Sequence, residues 1–180
     1  TWTYFEIDPV VERLARDTRY FRYLSECGGD TKVVLGDGRL SLEKVGDGHF
    51  DVLIMDAFSS DSVPIHLITR EAVALYMSKL KADGILVFNI SNRNLDFSRV
   101  LGNLVEDAGL AGRFQQYRSG NLEYRKTYKV DSIWAVIARD DRSLAPFDGD
   151  RRWRPLPTEP ASGLWTDDFS NILGVMKFRR

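Results

Sequence analysis

Along the first 140 positions, short β-rich apolar runs alternate with stretches whose apolar residues recur at helical spacing. That alternation predicts a parallel sheet with crossover helices. Thr3 to Ile7 reads as a strand, and Asp8-Pro9 then supplies an N-cap and a proline for the first helical position. The helix predicted from Pro9 to Arg16 carries Val10, Leu14 and Ala15 as an apolar stripe. Thr31 to Leu35 is a second strand, closed by Gly36-Asp37-Gly38 and followed by a short helix around Leu40 to Lys44. Phe50 to Met55 is so continuously apolar that it predicts a central strand covered on both faces, ending in Asp56. Thr69-Arg70-Glu71 opens a helix that Lys81-Ala82-Asp83-Gly84 stops, and Ile85 to Ile90 is the next strand. A helix from Phe97 to Gly109 and a closing strand pair, Phe114 to Tyr117 and Ser132 to Ala138, complete the pattern.

Beyond Arg139 the periodicity fades, and four of the six prolines lie there. The pattern therefore divides the chain into a domain over 1–140 and a proline-containing tail over 141–180 that docks on it through Leu164, Trp165, Phe169, Ile172 and Leu173.

Composition narrows the function classes. Twenty-five Lys+Arg against 26 Asp+Glu leave a net charge of -1, so no overall basic field draws in nucleic acid or anionic lipid. The basic cluster Arg118, Arg125, Lys126 and Lys129, with Tyr117, Tyr124 and Tyr128 interleaved, reads as a solvated hairpin. One cysteine, Cys27, and two histidines, His49 and His66, support neither an internal disulfide nor a Cys/His metal cage, so no metal is expected. No apolar run reaches the roughly 20 residues that span a bilayer. A cytoplasmic setting is the expectation.

In an open α/β sheet, ligands sit beyond the carboxyl ends of the strands, where loops and helix N-termini converge. Three successive predicted strands end there in acids: Glu6 and Asp8, then Asp37, then Asp56. A carboxylate can accept from both hydroxyls of a ribose, which suits Glu6, and Asp37 can accept from an exocyclic adenine amine. Each has a plainer reading as well. Asp8 before Pro9 is a helix cap, Asp37 between glycines is a turn residue, and His66 at a helix entrance is a surface or capping residue. Asn89, Ser91 and Asn92 either meet polar substrate atoms or satisfy loop backbone. Asp167-Asp168 either adds negative charge or begins a helix at Thr166.

Four segments in this order, Phe5-Glu6-Ile7-Asp8-Pro9, Leu35-Gly36-Asp37-Gly38-Arg39, Phe50 to Asp56 and Leu80 to Leu86, resemble the spermidine synthase, or polyamine aminopropyltransferase, family of the S-adenosylmethionine-dependent methyltransferase fold. With Ile90-Ser91-Asn92-Arg93 and Trp165 to Asn171, the chain looks most like the subgroup fused to membrane segments. The resemblance implies an α/β, Rossmann-like methyltransferase sheet, mostly parallel with an antiparallel closing strand. It implies decarboxylated S-adenosylmethionine or S-adenosylmethionine as cosubstrate, held by Glu6, Asp8, Asp37, Gly38 and Asp56, and a small-molecule polyamine as acceptor. Asp56 then orients and deprotonates the incoming amine, because an amine attacks carbon only as the free base.

The pattern also departs from the family. The short Asp-x-x-Asp-Pro gate is replaced by Asp56-Ala57-Phe58-Ser59-Ser60-Asp61, which makes Asp61 the candidate second catalytic acid at a longer spacing. The first strand and its glycine-rich cofactor turn would precede Thr1, so the sheet is expected to be N-terminally truncated, with a homodimer through an exposed sheet edge as one option. Methyl transfer to a small molecule, or a non-catalytic domain of a membrane protein, remain as other readings.

Overall fold

The computed structural model describes residues 1–26, 29–57, 64–120 and 126–177. They form two compact units, Thr1–Gly46 and Asp47–Arg180, divided within the sequence Gly46-Asp47-Gly48.

In the first unit, β1 (Trp2–Glu6) pairs in parallel with β2 (Thr31–Leu35), from Trp2 opposite Thr31 to Glu6 opposite Leu35. Parallel neighbours need a crossover. It is made by α1 (Pro9–Arg16) and the single turn α2 (Tyr23–Glu26). Asp8 caps α1 by accepting from Val10 N at 2.7 Å, Pro9 stands at the first turn, and Glu12 pairs with Arg16 one turn on. After β2, Gly36 at φ 134° turns the chain into α3 (Gly38–Glu43), a conformation that L side chains rarely adopt. The predicted apolar stripe of α1 exists but is not buried: Val10 and Leu14 are 57% and 44% exposed. Among the described residues of this unit, Leu42 is the buried side chain.

The second unit contains β3 (Phe50–Met55), α4 (Arg70–Lys79), β4 (Leu80–Asn89), α5 (Ser98–Asp107), β5 (Ala111–Tyr117), β6 (Ser132–Ala138), α6 (Asp141–Asp148) and the short β7 (Arg154–Pro155). Their sheet runs β3-β4-β6-β5-β7. β3 and β4 are parallel, β6 is antiparallel to both β4 and β5, and β7 is antiparallel to β5. Strands β3, β4 and β5 therefore point one way, with β6 inserted against them. Tyr76, Leu86, Phe88, Ile90, Phe97, Leu101 and Leu104 fill the core between the sheet and its helices.

Three expectations change here. β3 lies at an edge of its sheet, not at the centre; Leu53 and Met55 are buried, whereas Val52 and Ile54 on the alternate face are each 47% exposed. An apolar run shows what could be buried, and what packs on each face of the strand decides what is. Lys81 to Gly84 does not end a helix but belongs to β4, which starts directly after α4. There Gly84 serves close approach: a Cβ would stand 3.1 Å from the Asp51 carbonyl oxygen of β3. At this abrupt change from helix to strand, the Arg139 guanidinium donates to the carbonyls of Met77 at 2.5 Å and Leu80 at 3.1 Å.

The third change is in the tail. Its first part is helix α6, capped by Asp140 accepting from Ser143 N and anchored by Leu144 against Val136 and Ala138. The segment after β7 is laid over α5 and β5 on two glycines. A Cβ on Gly102 would stand 1.9 Å from the Pro157 carbonyl oxygen, and one on Gly112 would stand 2.6 Å from Leu156 Cδ1. Asn103 fastens the same segment, donating to the carbonyls of Glu159 and Gly163 and accepting from Glu159 N. Trp165 is fully buried edge-on against Phe97, with ring centroids 6.1 Å apart. Thr166 starts no helix; Thr166 to Phe169 is a tight turn, bonded between the two residues in both directions.

Candidate functional site

The carboxyl ends of β1 and β2 are level, because Glu6 faces Leu35 in the register. Glu6, Asp8, Asp37 and Gly38 therefore come together at one end of that two-stranded sheet. Glu6 Oε1 accepts from Asp8 N at 2.8 Å, and Gly36 N donates to the Glu6 carbonyl at 2.9 Å, so the two turns are tied to each other. Asp8 caps α1, and Asp37 caps α3 by accepting from Leu40 N at 2.9 Å. Both acids thus perform the structural task that their positions before a helix suggest. Gly38 is not a steric necessity, since a Cβ there would meet Phe5 Cβ at an ordinary 3.8 Å. On the helix side of β1, Glu6 also borders a hollow of about 90 Å³ lined by Tyr4, Phe5, Val11, Tyr23 and Val33.

In the second unit Asp56 leaves the carboxyl end of β3 with its carboxylate exposed to solvent. Asn89, the last residue of the adjacent strand β4, donates from Nδ2 to Asp56 Oδ1 at 2.8 Å. The Asn89 oxygen accepts from Ser91 N at 3.1 Å and from Ser91 Oγ at 2.5 Å. Ser91 Oγ in turn accepts from Ile133 N at 2.8 Å, at the start of β6. Three strand ends are thereby joined through side chains. Asn89 and Ser91 could be marked in the sequence only as polar residues after a strand, because their partners lie 33 and 42 positions away. Asp61 lies outside the described residues.

The loop that carries this group is held from outside by the chain's last described residues. Asp96 N donates to the Val175 carbonyl at 2.8 Å, Lys177 N to the Asn94 carbonyl at 2.7 Å, and Lys177 Nζ to the Asn92 carbonyl at 2.8 Å. A second clamp closes on the start of α4. The Thr69 hydroxyl caps the helix at Ala72 N, and Glu71 accepts from Asp167 N at 3.0 Å. The Glu71 carboxyl is held below its ordinary range by its own backbone N–H and, more weakly, by that of Asp167. Asp167 is therefore a clamp on α4 rather than the start of a helix. Among the described residues no group of three or more His, Cys, Asp or Glu could hold a metal ion, and no helix is long and apolar enough to cross a membrane.

The chain is 36% identical over 86 residues to the polyamine aminopropyltransferase of Vibrio vulnificus, a match that covers 47% of this chain and 27% of that protein. No family model matches. The structure superposes on a probable spermidine synthase of Corynebacterium glutamicum with a TM-score of 0.58 at 17% identity, covering 91% of this chain and 62% of that one. Spermidine synthase of Thermotoga maritima gives a TM-score of 0.52 at 18% identity, covering 87% of this chain and 53% of that one. A spermidine synthase in complex with the transition-state analogue AdoDATO gives a TM-score of 0.52 at 16% identity, covering 87% and 52%. The chain thus spans about a quarter of the curated relative and between half and two thirds of these structures. Over the matched 86 residues this chain is similar in sequence to a polyamine aminopropyltransferase, and over most of its length it has the α/β, Rossmann-like methyltransferase-type fold seen in solved spermidine synthases.

Proposed function

We propose that this chain forms the catalytic part of a cytoplasmic aminopropyltransferase that moves an aminopropyl group from decarboxylated S-adenosylmethionine to a polyamine acceptor. The observation that carries the reading is Asp56, an exposed carboxylate at the carboxyl end of β3 held by a neighbouring strand, in a chain related by sequence to a polyamine aminopropyltransferase. Such a carboxylate attracts an ammonium and accepts its proton when the amine is delivered to carbon.

The donor fits the residues by the chemistry of its groups. Glu6 accepts from the ribose hydroxyls and Asp37 from the adenine amine, with Asp8 and Gly38 shaping the turns beside them. The level strand ends bring these four together, which supports their assignment to one nucleoside. The sulfonium supplies the leaving group. The acceptor nitrogen forms a bond to the aminopropyl carbon while the carbon–sulfur bond breaks; its electron pair stays on sulfur and leaves a neutral thioether. The proton lost by the nitrogen goes to Asp56. Asp61 is assigned the second acid on the acceptor side. Beyond charge neutralisation, the protein contributes alignment of nitrogen, carbon and sulfur.

Calorimetric titration of the intact gene product with decarboxylated S-adenosylmethionine, S-adenosylmethionine and methylthioadenosine, with and without putrescine, tests the reading. Tighter binding of the decarboxylated donor is expected. Preference for S-adenosylmethionine would replace aminopropyl transfer with methyl transfer, and no binding of any of them would leave a non-catalytic domain.

A further inference from the structure

We propose that Asn89 is a positioning residue for Asp56: it holds one carboxylate oxygen so that the other faces the acceptor amine. The inference rests on the aminopropyl-transfer reading for its kinetic consequences and on hydrogen-bond directions for its structural content.

The directions are set from one end of the network. The backbone N–H of Ile133 can only donate, and it points at Ser91 Oγ from 2.8 Å. The Ser91 oxygen is thus an acceptor there, and its own proton is available for Asn89 Oδ1 at 2.5 Å. The other oxygen within reach, the Ile133 carbonyl, stands farther away at 3.5 Å and already accepts from Ile90 N at 2.9 Å. Ser91 N adds a second donor to Asn89 Oδ1. With its oxygen claimed twice, the Asn89 amide cannot be turned over without setting its NH2 against two donors. Nδ2 must then face Asp56 Oδ1, which it meets at 2.8 Å.

The consequence is geometric. An exposed aspartate at the end of a strand rotates freely about its side-chain torsions, and most of its orientations do not aim a lone pair at a bound amine. One N–H on Oδ1, itself fixed to β4 and β6, restricts that rotation. Oδ2 is left to take the acceptor's proton. Among the described residues, the partners of the Asn89 amide are Asp56 and Ser91, which makes it a bridge to the carboxylate.

Two measurements on the full-length protein test this. The first is steady-state aminopropyl transfer by wild type, Asn89→Ala, Asp56→Asn and the double variant. Asn89→Ala should lower kcat roughly 10- to 100-fold with the KM for the donor within about threefold. In the Asp56→Asn background the same change should cost less than about twofold, since a residue that acts through Asp56 has nothing left to act on. Full multiplication of the two losses would overturn the proposal, because it would give Asn89 an independent role. The second is the NMR signal of the Asn89 side-chain NH2, which needs no turnover. It should move on Asp56→Ala and on Ser91→Ala; insensitivity to both would overturn the bridge itself. Absence of transfer by the wild type would overturn the kinetic role along with the reaction reading, and the NH2 signals would then decide the bridge separately.

Discussion

The Thr69 hydroxyl donates to the Asp167 carboxylate at 2.7 Å across 98 positions of sequence, at the same atom that caps α4 at Ala72 N. One buried side chain therefore ends a helix and anchors the tail. Thr69→Ala is expected to cost about 1–2 kcal/mol, the usual loss for a cap. Asp167→Ala should add less in that background than in the wild type, because the two changes remove the same bond. A double-mutant cycle by denaturant unfolding measures it, and strict additivity would contradict the coupling.

Gly102 has no room for a methyl group beneath the Pro157 carbonyl. Gly102→Ala should destabilise by about 1–3 kcal/mol, as over-packing does, and should open the segment around 155–160 to proteolysis. Gly112→Ala meets the flexible end of Leu156 rather than backbone and should be milder. Equal effects would mean that backbone and side chain yield alike.

Trp165 anchors the tail. Its indole N–H is buried without a hydrogen-bond partner among the described residues, so the side chain acts there through packing. Trp165→Ala should cost about 3–5 kcal/mol, whereas Trp165→Phe, which forfeits no hydrogen bond, should cost much less. A comparable loss in both variants would reveal an acceptor for the indole.

Asp47 reports on acid stability. The hydrogen bond from the Lys79 ammonium, then its charge, holds the Asp47 carboxyl below the usual aspartate range. A lowered native pKa adds stability above the unfolded value near 3.9 that is lost as pH falls below it toward the native value. Asp51 is lowered in the same sense by Lys81. The Lys79 side chain is 9% exposed and the Lys81 side chain 46%, so Asp47→Ala leaves the more buried cation alone. Denaturation midpoints at pH 7 should therefore fall further for Asp47→Ala than for Asp51→Ala. The gap between Asp47→Ala and wild type should narrow steadily as pH is lowered through the acid range, and a gap that stays constant there would assign the loss to packing.

Asp56→Asn should lower turnover by roughly 10²–10⁴-fold while leaving donor affinity nearly unchanged, since it removes a proton acceptor and keeps the side chain's shape. Calorimetry of donor binding alongside kinetics checks the split. An unchanged rate would remove Asp56 from the chemistry.

Several features of the site were legible from local pattern. Asp8 before Pro9 and Thr69 before Arg70-Glu71 are helix starts that depend on neighbours within a few positions, and both caps form as their sequences imply. The acids at the strand ends were legible for the same reason: a strand's length and its terminal residue are properties of one short segment. Asn89 as the partner of Asp56, and Ser91 as the link to Ile133, were not legible, since each bond joins strands whose adjacency comes from the sheet order.

Sequence alone determined most of the strand and helix segments over the first 140 positions, the α/β class and the candidate acids, because hydrophobic period, caps and glycines act over a few bonds of chain. Only the tertiary structure decided that Phe50 to Met55 is an edge strand, that Gly84 and Gly102 admit close backbone, and that the tail closes on Thr69 and on the loop after β4. Those outcomes depend on which segments meet. Such meetings are set by the total burial and hydrogen bonding of the folded chain, and no local stretch encodes them.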